Sequence, residues 1–354
     1  MKKFFIIGII LTLCMIAAGC GYHLGGEMGQ LEQSDSSERI VIGFSQLGAE
    51  SDWRSANTES MKTTFTAANG YELLFEDGQQ KQANQIMAIR TFIQQDVDYI
   101  VLAPVTETGW DTVLMEARDA DIPVIIVDRM VDVKDKSLFA CWVGSDFELE
   151  AMKVATWLEN FAKARGIAAK DLHIVNIQGT IGASAQIGRT KGLADVAAKN
   201  GWDLLAEVPG EFTQAKGREV MGALLEEYDN INVVYCENDN EAFGAIEAIE
   251  AAGKKVGSDI ENGEIMVVSF DGVREDAMNY VLEDRITVIA ECNPLHGPRV
   301  QAIIEQLEQG VMPEKFSYVD EQIFSASKIV PTVNVRGTDY EVTIVTEAMV
   351  ATEQ

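Results

Sequence analysis

In 354 residues, 28 Lys and Arg face 56 Asp and Glu, a formal net charge of −28 at pH 7. Affinity for nucleic acid comes mainly from neutralising phosphates with Lys and Arg, so nucleic acid is excluded as a partner and the acids read as a solvated, solubilising surface. With 47% hydrophobic and 24% charged residues, the composition is that of a soluble globule.

The chain opens MKKFFIIGIILTLCMIAAGC: two lysines, an apolar run from Phe4 to Ile16, then small residues up to Cys20. This order is that of an export signal, and its apolar core is shorter than the roughly 20 residues a membrane-spanning helix needs. Ala17-Ala18-Gly19-Cys20 resembles a bacterial lipobox, which predicts removal of residues 1–19 and a lipid on the Cys20 thiol. Cys14 leaves with the signal. The rival reading is an ordinary cut after Ala18 or Gly19, with Cys20 a plain thiol. Residues 20–38, rich in Gly, Ser and acids without apolar period, read as a flexible tether. The expected location is the extracytoplasmic face of the cell membrane, touching it through the lipid alone, or the periplasm.

From Arg39 onward, β-rich runs alternate with helical patterns, the signature of parallel sheets covered by helices. The first set of strands is expected at 40–44, 71–75, 99–102, 124–127 and 139–143, with Ile86, Ile89 and Ile93 as a buried helical stripe. A second set follows at 172–177, 204–208, 233–236, 266–270 and 287–290, with stripes Met152, Ala155, Leu158 and Val220, Leu224, Leu225. Two tandem α/β halves therefore meet near Gly144 to Asp146. A helix through Val300, Ile303, Ile304 and Leu307 and a strand at 322–324 are left over, so the chain crosses between the halves again. The expected lobes are 39–144 plus 294–321 and 145–293 plus 322–354. Cys141, Cys236 and Cys292, an odd set beside strand-like residues, read as buried free thiols.

In open parallel sheets, ligands bind beyond the carboxyl ends of the strands. Those ends hold planar polar side chains: Asp128 and Arg129 after VIIV, Asn238 and Asp239 after VVYCE, Asp271 after VVSF, Glu291 after TVIA, and Arg189 in GTIGASAQIGRTKG. A sugar offers adjacent hydroxyls that both donate and accept, which carboxylates, guanidinium groups and amides match in pairs. Some of these residues, Asp239 above all, serve equally well as helix N-caps. In FSQLGAESDWR, Trp53 is the candidate to stack on a sugar face, with a core tryptophan anchoring the helix as the alternative. Trp110 follows a strand and could reach the cleft. Trp142, Trp157 and Trp202 read as structural.

These segments, with DGQQKQANQI from Asp77, APVTETGW from Ala103, DRMVDVKDKSL from Asp128, GEFTQAKGREVM from Gly210 and ENDNEAFGAIEAI from Glu237, resemble the periplasmic sugar-binding proteins of the ribose-binding type, and within them the galactofuranose-binding subgroup. The resemblance implies an α/β fold of two doubly wound parallel-sheet lobes joined by a three-crossover hinge, the type I periplasmic binding protein, closing on one monosaccharide. It implies ligand contacts at Glu50, Trp53, Arg54, Asp128, Arg129, Arg189, Asn238, Asp271 and Glu291. Ala49 and Asp52 depart from the pattern expected of that first loop. The implied partners are the permease and ATPase subunits of an ABC importer, served by a monomer, or alternatively a chemoreceptor or histidine kinase that reads the loaded form.

No Walker loop, GxGxxG, GxSxG or HExxH is present, and His23, His173 and His296 have no metal-ligand neighbours at zinc spacing. Asp128 to Asp135 lacks the spacing of a calcium loop. No cofactor, no metal and no catalysis are expected. The enzymatic alternative would make Asp128 and Asp271 an acid and base pair on a glycoside. A repressor of this fold would carry a DNA-reading helical module where the export signal stands.

Overall fold

The computed structural model describes residues 39–350 except Arg274; the export signal, Cys20, the tether and residues 351–354 lie outside the described residues. The first half runs β1 (Ile40–Gln46), α1 (Asp52–Thr64), β2 (Tyr71–Asp77), α2 (Gln82–Gln94), β3 (Tyr99–Leu102), α3 (Asp111–Asp119), β4 (Val124–Val127) and β5 (Cys141–Gly144). The second runs α4 (Phe147–Arg165), β6 (His173–Gln178), α5 (Ser184–Asn200), β7 (Asp203–Pro209), α6 (Gln214–Glu227), β8 (Val233–Cys236), α7 (Asp239–Ala251), β9 (Lys255–Val256), β10 (Glu264–Asp271), α8 (Glu275–Leu282) and β11 (Val288–Glu291). The chain ends with α9 (His296–Glu308), β12 (Phe316–Tyr318), β13 (Ile323–Ser325), β14 (Thr332–Val335), β15 (Thr338–Ile344) and α10 (Glu347–Val350).

Two sheets result. The first, ordered β12-β5-β4-β3-β1-β2, is parallel throughout. The second, ordered β14-β15-β13-β11-β10-β8-β6-β7, is parallel from β7 to β11 and turns antiparallel where β13 joins β11. Each sheet is covered on both faces: Phe92, Trp110 and Leu114 pack on one side of the first, Met61, Val300 and Ile304 on the other. Trp157 and Leu193 do the same for one face of the second, Met221 and Ile246 for the other. Strands buried on both faces read as continuous apolar runs, which is why VIIV and VVYC mark β4 and β8 so clearly. The chain passes between the lobes after β5, after β11 and after β12, giving the three crossovers of the type I periplasmic binding fold.

The structure adds elements that hydrophobic runs do not reveal. β14 and β15 form a hairpin whose turn, Arg336-Gly337, holds two left-handed residues at φ 53° and 83°, as a tight two-residue turn requires. On α2 the buried face is Gln85, Ala88, Ile89 and Phe92, with Ile86 and Ile93 only partly buried. Gln85 takes a core position because its amide donates to Ala103 O at 2.8 Å and accepts from Val105 N at 3.0 Å. Cys141, Cys236 and Cys292 are buried free thiols.

Candidate functional site

Both sheets reverse strand order beside their first strand, β1 between β2 and β3, β6 between β7 and β8. Loops diverge at such switch points and leave a crevice. Between the two crevices lies a cavity. It is lined by Glu50, Trp53, Arg54, Asp128, Arg129, Arg189, Asn238 and Asp271, together with Ser51, Phe147, Ala185, Phe212 and Cys292.

The first lobe supplies a charged fork. Ser51 caps α1 by accepting from Arg54 N at 3.2 Å, which places Trp53 and Arg54 in the first turn, facing inward. The Arg54 guanidinium contacts Asp128 at 2.6 Å and Glu50 at 3.2 Å, and Arg129 contacts Glu50 at 3.4 Å while donating to Val105 O at 2.9 Å. Burial opposes ionisation of Asp128, but Arg54 and Arg129 outweigh it and hold its carboxyl below the ordinary value. Burial and the neighbouring Arg54 bring Arg129 down to about 10. Glu50 Oε2 and Arg54 Nη1 are buried with no hydrogen-bond partner. An unpaired buried acceptor and an unpaired buried donor on neighbouring residues that line the cavity are a costly arrangement unless a ligand meets them.

The second lobe answers with Arg189. Gly188 and Gly192 let α5 approach α4 so closely that a Cβ on Gly192 would lie 2.4 Å from that of Ala151. This approach brings Arg189 Nε to 2.9 Å from Glu150, while Nη2 lies 3.3 Å from Asp271 and Nη1 donates to Glu237 O. Burial disfavours the Arg189 charge, yet Glu150 and Asp271 raise its pKa well above the ordinary value. Asn238 caps α7 by accepting from Glu241 N at 2.8 Å and gives one amide hydrogen to Phe212 O at 3.1 Å. Asp239 is structural: it accepts from Ser269 Oγ and Gly272 N, each at 2.7 Å.

Trp53, Phe147, Ala183, Ala185, Phe212 and Cys292 form an apolar cluster beside these forks, drawn from both lobes. Trp53 donates its indole N–H to Cys292 O at 2.6 Å, and the Arg54 guanidinium lies 4.6 Å from its ring centroid. Asp128, Phe212 and Asp271 have φ of 61°, 61° and 101°. Left-handed backbone at non-glycine residues costs about 1–3 kcal/mol each and persists where the surroundings impose it. At Asp128 they do: its N–H bonds Val143 O at 2.9 Å and its carbonyl accepts from Trp142 Nε1 at 3.0 Å.

Two sequence-based expectations need correction. Glu291, the register partner of Asp271, does not line the cavity. Its carboxylate is taken up at the crossovers, accepting from Gln322 N at 2.9 Å and Asn293 Nδ2 at 3.1 Å. Trp110 does not reach the cleft: it is fully buried in the first lobe and donates to Thr106 O at 2.7 Å. Phe147 and Phe212 had no sequence signal beyond their places after the first crossover and in the GEF turn. The unusual Asp52 now has a partner in the other lobe, since its backbone N–H and carboxylate pair with the Asn240 amide at 3.1 and 2.8 Å. With Met130 N to Ser184 Oγ at 3.0 Å and Glu107 N to Gly182 O at 3.1 Å, this pair holds the cleft closed.

Comparison with known proteins agrees with this architecture. A model of the periplasmic binding protein domain matches residues 42–320. The galactofuranose-binding protein YtfQ of Escherichia coli (strain K12) is 40% identical over 291 residues, 80% of this chain and 87% of that protein. A solved structure from Mycobacterium smegmatis in complex with β-D-fucofuranose is 39% identical with a TM-score of 0.75, covering 81% of this chain and 91% of that one. The periplasmic binding protein component of the arabinose ABC transporter from Shewanella sp. ANA-3, bound to α- and β-L-arabinofuranose, is 38% identical with a TM-score of 0.74, covering 80% and 91%. With two lobes, three crossovers and a cleft between strand ends, the chain belongs to the periplasmic binding protein family and is a binding protein, not an enzyme.

Proposed function

We propose that this protein captures one neutral monosaccharide in its five-membered-ring form, galactofuranose or a close relative, outside the cytoplasm and presents it to the permease of an ABC importer. The observation that carries the reading is the pair of unpartnered buried atoms, Glu50 Oε2 and Arg54 Nη1, on two residues that line the cavity between the lobes. One hydroxyl can donate to the first while a neighbouring hydroxyl accepts from the second. Three guanidinium groups facing three carboxyl groups favour a neutral polyol over an anion or cation. Trp53, Phe147 and Phe212 supply the apolar surface a sugar's C–H face requires. The furanose form is supported by the three relatives, each described with a furanose sugar.

A thermal-shift screen of pentoses and hexoses in both ring forms tests this, because a ligand of the folded state alone raises Tm. Furanose forms of galactose or arabinose should raise it and pyranose-locked analogues should not. No shift with any sugar overturns the reading; a shift with pyranoses alone overturns the ring form.

We further propose that Cys20 carries the lipid that holds the protein at the membrane. Expressed in a bacterial host, the Cys20→Ala variant should move from the membrane fraction to the soluble one. Retention in the membrane fraction would reject the anchor.

A further inference from the structure

We propose that Glu150 and Glu321 share one proton at the hinge, that this proton ties the third crossover to the start of α4, and that its loss opens the two lobes. Carboxylate oxygens of Glu150 and Glu321 and the Cys292 thiol lie within 4.8 Å of one another, all buried. Each carboxyl is half satisfied by fixed donors. Glu321 Oε1 accepts from Ser145 Oγ at 2.6 Å, on the first crossover, and from Asn293 N at 2.8 Å, on the second. Glu150 Oε2 accepts from Arg189 at 2.9 Å, but its Oε1 is buried with no partner. Two carboxylates this close repel, and a hydrogen held between them relieves that repulsion and serves the unpartnered Glu150 Oε1. Ser145, Asn293 and Glu321 represent all three crossovers, so a single proton joins the whole hinge to α4.

The charged and titratable groups facing the pair agree with this. Arg189 from α5 and Lys153 from α4 lie nearby, opposed by Asp271, Asp146 and Asp320. Lys153 donates to the Glu321 carbonyl at 2.7 Å and lies 4.4 Å from the Tyr340 ring centroid, leaving the carboxyl to the proton. Burial keeps Cys292 a thiol. Burial, the largest influence, raises Glu150 to about 7, and burial followed by the Glu150 charge raises Glu321 to about 9. A carboxyl raised in the folded state adds stability below its unfolded value, and this is lost as pH climbs through the folded value. Glu150 therefore ionises first, near pH 7, which leaves the single shared proton, and the pair stops holding the hinge as pH climbs through about 9. A surface cavity lined by Asp146, Glu150, Lys153, Asp320, Glu321 and Tyr340 gives the departing proton a route to solvent water. Arg189 connects Glu150 to the ligand cavity, so the hinge proton and the binding site share one residue.

The test uses sugar-free protein with a chelator present, and so does not depend on the identity of the sugar. Infrared difference spectra at neutral pH should show one protonated-carboxyl component present in the wild type and lost in Glu321→Gln, beside those of the other raised carboxyls such as Asp271. Spin-label distances between the lobes should lengthen in the wild type as pH rises through about 9. They should stay constant in Glu321→Gln, whose amide donates to Glu150 at every pH. No component lost in the variant, no pH-dependent opening, or the same pH course in the variant overturns the proposal. If the component lost in the variant is absent from samples prepared without the chelator, a metal ion occupies the proton's place and the proposal is overturned.

Discussion

Replacing Asp128 with asparagine should weaken sugar binding at least tenfold, about 1.4 kcal/mol, while the protein stays folded. Asp128 neutralises Arg54 at 2.6 Å and faces Arg129, and its low pKa records that both guanidinium groups favour its charge. Asparagine keeps the side chain's shape and tolerates the left-handed φ of 61° at this position. The substitution therefore removes charge with little added backbone strain, and leaves two buried cations with Glu50 as their close acidic partner. Asp128→Ala should cost more. It loses the same charge, adds left-handed strain of about 1–2 kcal/mol, and opens a gap beside Arg54. Calorimetry on both variants separates the contributions, and unchanged affinity in both would remove Asp128 from the site.

How much of this was readable beforehand depends on where each residue finds its partners. β3, β4 and β8 were legible because each is buried on both faces and so appears as an unbroken apolar run between turn residues. Asp128 and Arg129 were legible for the same reason, being the first polar residues after such a run. Phe212 was not. Its place in the cavity depends on consecutive left-handed residues, Glu211 and Phe212 at φ 59° and 61°, which no apolar pattern encodes. Glu291 misled because strand-end position gives the level of a side chain but not its direction, and the third crossover supplied a nearer donor in Gln322. Glu150 and Glu321 were invisible as a pair, one among the acids of a helix and the other in a loop far along the chain. Only the crossovers bring them together.

Replacing Arg189 with methionine should abolish tight binding and destabilise the protein in a pH-dependent way. Methionine retains much of the apolar stem against Phe270, whose ring centroid lies 4.7 Å from the guanidinium carbon. It removes the one cation held between Glu150 and Asp271. Truncating one member of a buried charged set costs about 2–5 kcal/mol of affinity, a loss of roughly thirtyfold or more. The effect on stability follows from the carboxyls left behind. Burial already raises Glu150 to about 7 and lifts Asp271 well above its ordinary value, and in both cases Arg189 pulls the other way. Without Arg189 both rise further, so the folded variant binds more protons than the wild type. Its deficit must then grow as pH rises. Urea unfolding should show a loss of about 3–5 kcal/mol near pH 8, where the carboxyls tend to ionise unpaired, and a distinctly smaller one near pH 5, where they are neutral. An equal loss at both values would mean that Arg189 acts by packing alone, and that its fork of carboxylates contributes nothing to holding the second wall of the cleft.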